Sequence, residues 1–215
     1  MFISSNTEFA ATDALEQIRN VLALHSPDTR PSENTPRVAA VAMVLRHGPD
    51  GALETLFMKR AERADDPWSG QMAFPGGHVD PGDNGPEAAA RRETLEEVGL
   101  ALAPEMLLGR LNDISGGRLR TFELAVCPMV YFHPDPGPLA HNYEVAETVW
   151  VPLSFLADTA SIGAYYYPRD PEQRAFSCFN YGPYTIWGLT YRILAQFMGL
   201  FDVTLPTERP LTDVE

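Results

Sequence analysis

Cysteine is scarce in this chain. Cys127 and Cys178 are the only two in 215 residues, and they lie far apart in sequence. Such a pair does not build a disulfide scaffold, so both are expected as buried thiols. Long apolar runs are missing as well. No stretch of 18 apolar residues occurs, so no membrane span is expected. The opening residues, MFISSNTEFA, have neither a basic nor an apolar region of signal-peptide type. Positive charge is in deficit: 16 Lys and Arg against 29 Asp and Glu give a formal net charge of −13. That balance disfavours broad attraction to nucleic acid or to an anionic membrane. It leaves room for a phosphorylated ligand, because metal ions and a few arginines can reverse the potential inside a pocket. His25, His47, His78, His133 and His141 show no metal-ligand spacing, and no internal repeat is present. What remains is the composition of a globular cytoplasmic protein, 45% hydrophobic, with core enough for one domain and some additions.

Periodicity gives the organisation. Residues 13–25 carry Leu15, Ile18, Val21 and Leu22 at helical spacing, with Asp13 able to cap. The stretch 26–36 reads as a linker. Residues 37–46 and 52–60 read as strands joined by the turn HGPDG, and Met72-Ala73-Phe74 as a short strand after a loop at 61–71. A helix is expected over 86–98, with Pro86 in its first turn and Gly99 as its C-terminal cap. Strands are expected at 106–114 and 119–132, joined around Gly116-Gly117, then a proline-rich loop at 133–142. Residues 147–153 read as a strand running into a short helix. Tyr165 to Tyr167 and the run FSCFNYG suggest a hairpin, and residues 185–200 a final helix with Ile186, Leu189, Ile193, Leu194 and Phe197 on its apolar side. The sum is α/β (α+β): a mixed sheet between helices.

The chemistry concentrates in residues 76–100, GGHVDPGDNGPEAAARRETLEEVGL. At 100° per residue, Glu93, Glu96 and Glu97 fall within about a 100° arc of one helix. Three carboxylates so close repel unless a cation sits among them. Carboxylate oxygens suit Mg²⁺ or Mn²⁺, and Mg²⁺ binds through a few carboxylates plus substrate phosphate oxygens. The pattern therefore points to metal-assisted hydrolysis of a phosphate anhydride. Ala88, Leu95 and Val98 are expected to pack on the sheet, while Ala89 and Ala90 flank the acidic face and leave room for a ligand. Arg92, four residues before Glu96, can hold that carboxylate in place.

This stretch resembles the Nudix box, G-x5-E-x7-R-E-U-x-E-E-x-G-U with U aliphatic. Gly77, Arg92, Glu93, Glu96, Glu97, Gly99 and Leu100 match it. Asp83 stands where the pattern has Glu, eight residues rather than seven precede Arg92, and Thr94 fills an aliphatic slot. The insertion leaves the 93/96/97 spacing intact. Upstream, Leu56, Arg60, Ala61, Gly70, Phe74, Pro75, Gly76 and Gly77 are similar to the segment before the box in the coenzyme A diphosphatase branch. Trp68 replaces a His often found there, and Asp65-Asp66-Pro67 also differs. Pro128-Met129-Val130 and residues 186–194 look like that branch too.

The resemblance implies a Nudix α/β/α sandwich with an added N-terminal helix and C-terminal helix. It divides the chain into a helix and linker (1–36), a hydrolase domain (37–202, box 77–100) and a loose tail (203–215). It implies Mg²⁺ or Mn²⁺ held by Glu93, Glu96, Glu97 and the Gly76 carbonyl. It implies a small-molecule diphosphate substrate, coenzyme A or an acyl derivative, split to a phosphopantetheine and adenosine 3′,5′-bisphosphate. Glu144 is the preferred general base, with Glu147 beside it. Arg60, Gly77 and Arg92 are assigned to substrate, and Arg63, Arg110, Arg118 and Arg120 are further phosphate candidates that more commonly stay solvated. Trp68 and Tyr165 to Tyr167 are capable of stacking on adenine, although packing is the favoured role. The alternatives are ADP-ribose, another nucleoside diphosphate derivative or an RNA 5′ end as substrate, or a nucleotide-sensing module without catalysis. Degenerate modules lose box glutamates, and this chain keeps all three. The two terminal helices offer a surface for a homodimer.

Overall fold

A computed structural model describes residues 13–29, 37–64, 68–115, 124–168 and 174–207. Helix α1 is Ala14–Leu24, and it packs Ile18 and Leu22 into the main core. Strands β1 (Val38–His47) and β2 (Leu53–Arg60) form the expected hairpin. Arg46 faces Glu54 across it, and their side chains pair at 2.8 Å. Short strands β3 (Met72–Ala73) and β4 (Gly76–His78) lead to helix α2 (Pro86–Val98). Then come β5 (Leu107–Arg110), β6 (Ile114–Ser115), β7 (Ala125–Phe132), β8 (Val145–Pro152) and the short helix α3 (Leu153–Ala157). Strands β9 (Ile162–Tyr166), β10 (Ala175–Tyr181) and β11 (Tyr184–Trp187) precede helix α4 (Gly188–Gly199).

The larger sheet runs β3-β2-β1-β7-β5, with β4 on β1, β6 on β7 and β8 on β2. β1 and β7 are parallel and the other pairings antiparallel, so the sheet is mixed as expected. β1 is buried on both faces, which explains its unbroken apolar sequence. Ala40, Ala42 and Val44 meet Ala89, Ala90 and Val98 of α2. Met43 and Leu45 belong to the opposite layer, built by α1, α4 and the small antiparallel sheet β9-β10-β11. The result is the expected α/β/α sandwich. Both cysteines are buried thiols outside any disulfide, as expected. No helix among the described residues is long and apolar enough to cross a membrane.

Several expectations change. The final helix starts at Gly188, not 185, because Ile186 and Trp187 pair with β10. Gly188 has φ +64, a conformation glycine adopts at no steric cost, and there the chain turns from strand into helix. Tyr165 to Tyr167 and FSCFNYG belong to a three-stranded sheet rather than one hairpin. The strand expected at 106–114 is broken into β5 and β6, and Gly116-Gly117 lies outside the described residues. Asp13 stands at the N-terminus of α1 without a side-chain capping bond; its carbonyl accepts from Gln17 (3.0 Å). Val203 and Leu205, assigned to the tail, are buried, and the Pro206 carbonyl accepts from the Tyr191 hydroxyl (2.9 Å); residues 208–215 lie outside the described residues. Helices α1 and α4 each pack an apolar face into the chain's own core, through Ile18 and Leu22 and through Ile193, Leu194 and Phe197.

Burial of Ile18 makes α1 part of the main folding unit rather than an appendage. Ile18→Ala is expected to lower the stability of the whole domain by about 2–5 kcal/mol. A urea titration followed by far-ultraviolet circular dichroism checks this. An unchanged main transition would mean that α1 folds independently.

Candidate active site

The two glycines of β4 sit in different surroundings: the backbone of β1 leaves no room for a side chain at Gly76, and Gly77 lies against the end of the Glu93 side chain of α2. Gly76 sits opposite Val41 and Gly77 opposite Ala40 in β1. A Cβ on Gly76 would strike the Ala40 carbonyl and Val41, and one on Gly77 would overlap the Glu93 carboxylate. Ala42 N–H donates to the Pro75 carbonyl (2.8 Å) and Val79 N–H to that of Val38 (2.9 Å), fixing both ends of this segment. Pro86 starts α2 and Gly99, at φ +69, ends it. Ala140 and Asn142 N–H groups donate to the Val98 and Glu97 carbonyls, each at 3.0 Å. The proline-rich loop thereby satisfies carbonyls that the helix end leaves open.

Contact with those glycines turns α2 differently from the expected orientation. Ala89, Ala90, Thr94, Glu97 and Val98 face the sheet, whereas Leu95 is 52% exposed. Ala89 and Ala90 are core residues and do not flank a ligand space. Thr94 is tolerated in a buried aliphatic slot because its hydroxyl donates to the Ala90 carbonyl (2.6 Å). Glu97 is only 2% exposed, and its carboxylate accepts the Gly76 N–H at 2.8 Å. Burial pushes its pKa up to about 8; the Gly76 bond opposes the rise, Glu93 and Glu144 add to it, and Arg60 counters it. Arg60 and Glu144, paired on sequence grounds with the same site, therefore lie within electrostatic reach of Glu97. Burial also raises the Glu93 carboxyl, against the pull of Arg92.

Arg92 organises the rest. Its Nε and Nη2 donate to the two oxygens of Asp83 (3.1 and 2.9 Å), and Nη1 donates to Glu93 (2.9 Å) and Glu96 (3.2 Å). Nη2 also reaches the His78 carbonyl (3.0 Å). Asp83 is held below the usual carboxylate range by this guanidinium. The one-residue insertion is absorbed in a turn where Asp83 N–H donates to the Asp80 carbonyl (2.9 Å). The shorter Asp83 side chain thus still meets Arg92. Arg92 thus braces Glu93 and Glu96, the latter through the i,i+4 pair expected from the sequence.

Glu144 is positioned by backbone. Its N–H donates to Asn142 Oδ1 (2.8 Å), its carbonyl accepts from Ala61 (2.8 Å), and Arg63 lies 3.9 Å from its carboxylate. Glu147 is turned elsewhere, toward Lys59 (3.4 Å) and the Tyr184 hydroxyl (2.8 Å). Arg110 is committed to Asp113 and Cys127. Arg118, Arg120 and Asp65-Asp66-Pro67 lie outside the described residues. Sequence reasoning missed Trp187, which it placed in a helix. Tyr165 and Tyr167 pack against its ring at 4.6 and 5.1 Å and line a cleft of about 340 Å³ with it. The turn residues Gly182-Pro183 before YTIW were the available signal for this strand.

Among the described residues, no three His, Cys, Asp or Glu side chains converge into a formed metal cluster. Glu97 points to Gly76, while Glu93 and Glu96 point to Arg92. By chemistry the donors still fit a hard divalent cation. Two carboxylates are disfavoured as anions by burial, and a nearby cation would relieve that cost.

A family model described as NUDIX domain matches residues 36–169. An uncharacterized Nudix hydrolase NudL of Photorhabdus laumondii is 36% identical over 182 residues, covering 81% of this chain and 90% of that protein. The mitochondrial coenzyme A diphosphatase NUDT8 of Homo sapiens is 32% identical over 152 residues, covering 68% of this chain and 62% of that protein. A MutT/nudix family protein from Enterococcus faecalis has a crystal structure that superposes with a TM-score of 0.52 at 17% identity. That match covers 94% of this chain and 76% of the other, and it bears on the fold alone.

The burial of Glu97 has a consequence for stability. Its folded value, about 8, exceeds the ordinary carboxyl value near 4.3, so ionisation costs more in the folded chain. The stability associated with Glu97 is complete below the unfolded value and drains as pH rises toward 8. In chelator-treated protein, Glu97→Gln keeps an acceptor for Gly76 and is expected to melt higher than the parent at pH 7. The difference should vanish near pH 4, as read by differential scanning calorimetry.

Proposed function

The chain belongs to the NUDIX domain family, and from that premise we propose that it cleaves the diphosphate of coenzyme A or an acyl derivative in a Mg²⁺- or Mn²⁺-dependent reaction. Hydrolysis of a pyrophosphate bond is the activity its family relationship supports. One observation carries the site: Glu97, desolvated beside Glu93, lies against a glycine pair that has no room for a side chain. The coenzyme A assignment draws on likeness to the human mitochondrial coenzyme A diphosphatase and on the segment ending in Phe74-Pro75-Gly76-Gly77.

Glu93, Glu96, Glu97 and the Gly76 carbonyl are the groups that would hold the cation. When bound, it supplies neutralisation of phosphate charge and acidification of a water molecule. Arg92 restrains Glu93 and Glu96, so their carboxylates need little reordering. Arg60 ends β2 on the side of Glu97 and offers a planar fork to phosphate oxygens. Glu144, fixed by Asn142 and Ala61, takes the proton of the attacking water. Gly77 leaves the space in which Glu93 sits. The products are a phosphopantetheine and adenosine 3′,5′-bisphosphate, and the acidic, cysteine-poor chain suits the cytoplasm. A second reading, ADP-ribose or a related nucleoside diphosphate derivative, is favoured by Trp68, which is 52% exposed.

A hydrolysis screen over coenzyme A, ADP-ribose, NADH and triphosphorylated RNA, with products identified by mass spectrometry, tests the substrate. Consumption of ADP-ribose with coenzyme A left whole would make ADP-ribose the substrate in place of coenzyme A. Glu97→Gln is expected to lower turnover by orders of magnitude. Glu144→Gln should reduce kcat by about 10²–10⁴ with KM little changed, as expected for a lost general base. Unchanged turnover in Glu144→Gln would remove it from the mechanism.

A further inference from the structure

The cleft beside Trp187 takes no part in the chemistry at Glu97. It lies where β2 and β3 meet the small antiparallel sheet, at the same end of β2 as Arg60. Lys59 faces Met72 across β2 and β3, and Arg60 N–H donates to the Gln71 carbonyl (3.0 Å). Lys59 and Gln71 both line the cleft. Arg60 acts on Glu97, whereas Lys59 serves the cleft, so the two sites flank a single strand end.

The walls are aromatic. Tyr165, Tyr167 and Trp187 contribute, with Trp187 held by Phe176 at 5.5 Å from behind. Gln71 and Thr185 also line it; the Thr185 hydroxyl donates to Asn180 Oδ1 (3.0 Å) and keeps its lone pairs for a ligand donor. Tyr184 also lines it and donates to Glu147, which in turn holds Lys59. That chain of contacts ties β2, β8 and β11 together and fixes the wall. The volume, about 340 Å³, falls within the range of small-molecule sites. A contiguous aromatic wall with a few hydrogen-bonding groups beside it matches a planar heterocycle, stacked on one face and read at its rim.

We propose that this cleft receives the heterocyclic base of the diphosphate substrate, a purine, while the phosphates lie across the end of β2 at Arg60. The assignment rests on the hydrolase reading of the Glu97 site, and it adds that base selection resides in β9–β11 rather than in α2. It gives the small sheet a role in specificity: Trp187 and Tyr167 stack, and Gln71 and Thr185 meet the base edge.

The test separates the cleft from the hydrolase reading. Chelator-treated protein is titrated with adenosine 5′-monophosphate and, separately, with ribose 5-phosphate, following tryptophan fluorescence. Saturable quenching by the nucleotide alone is expected, absent in Trp187→Phe while calorimetry still detects binding. Tyr167→Leu should weaken nucleotide binding roughly 10-fold, and in turnover it should raise KM by a similar factor with kcat preserved. Equal responses to both ligands, or identical titrations and KM in Tyr167→Leu, would overturn the proposal even if the diphosphate is hydrolysed. Nucleotide quenching at Trp187 with no turnover of any diphosphate would overturn the hydrolase reading, and with it the claim that the bound base is that of a substrate.

Discussion

A carboxylate buried against a backbone N–H is the constraint on which this structure depends. Glu97 lies between α2 and the sheet and accepts the N–H of Gly76, a position where a side chain would collide with β1. Close approach removes water from Glu97, and loss of water makes its negative charge costly. A carboxylate in that condition favours a cation nearby. The same contact sets the rotation of α2, buries Ala89 and Ala90, and leaves Leu95 outside.

Around this contact the acidic groups are kept apart by one guanidinium. Arg92 reaches Asp83, Glu93 and Glu96 and also donates to the His78 carbonyl. Its planar fork suits several oxygens at once in a way that an ammonium would not. The far end of α2 is closed by the loop from 133 to 142, whose N–H groups cover the Val98 and Glu97 carbonyls. That docking delivers Glu144 to the neighbourhood of Glu97. Helix capping and placement of the proposed base are therefore one structural event.

The two layers of core divide the labour. The layer under α2 includes the small residues Ala40, Ala42, Ala89 and Ala90, which permit close helix–sheet approach, beside larger ones such as Leu56, Met58 and Tyr131. The opposite layer holds the large aromatics, among them Phe57, Phe179 and Phe197, together with α1 and α4. Small residues on one side shape the reactive centre. Bulky ones on the other support the sheet and the aromatic cleft at its edge.

Much of this was legible in the chain itself. The 93/96/97 spacing, Pro86, Gly99, the β1–β2 hairpin and the mixed sheet follow from local periodicity and backbone preference, which depend on neighbours in sequence. The rotation of α2 did not follow, because it depends on glycines ten to twenty residues upstream lying beneath the helix. Nor did the strand at Tyr184–Trp187, where pairing with β10 prevailed over a helical pattern continuing from α4. The role of Asp83 was hidden by an insertion that the turn at Asp80 absorbs in three dimensions. Residue types and their spacing thus determined which groups are candidates for the chemistry. Only packing decided which of them lost water, which met Arg92 and which came within reach of one another, since desolvation and charge pairing act through space and not along the chain.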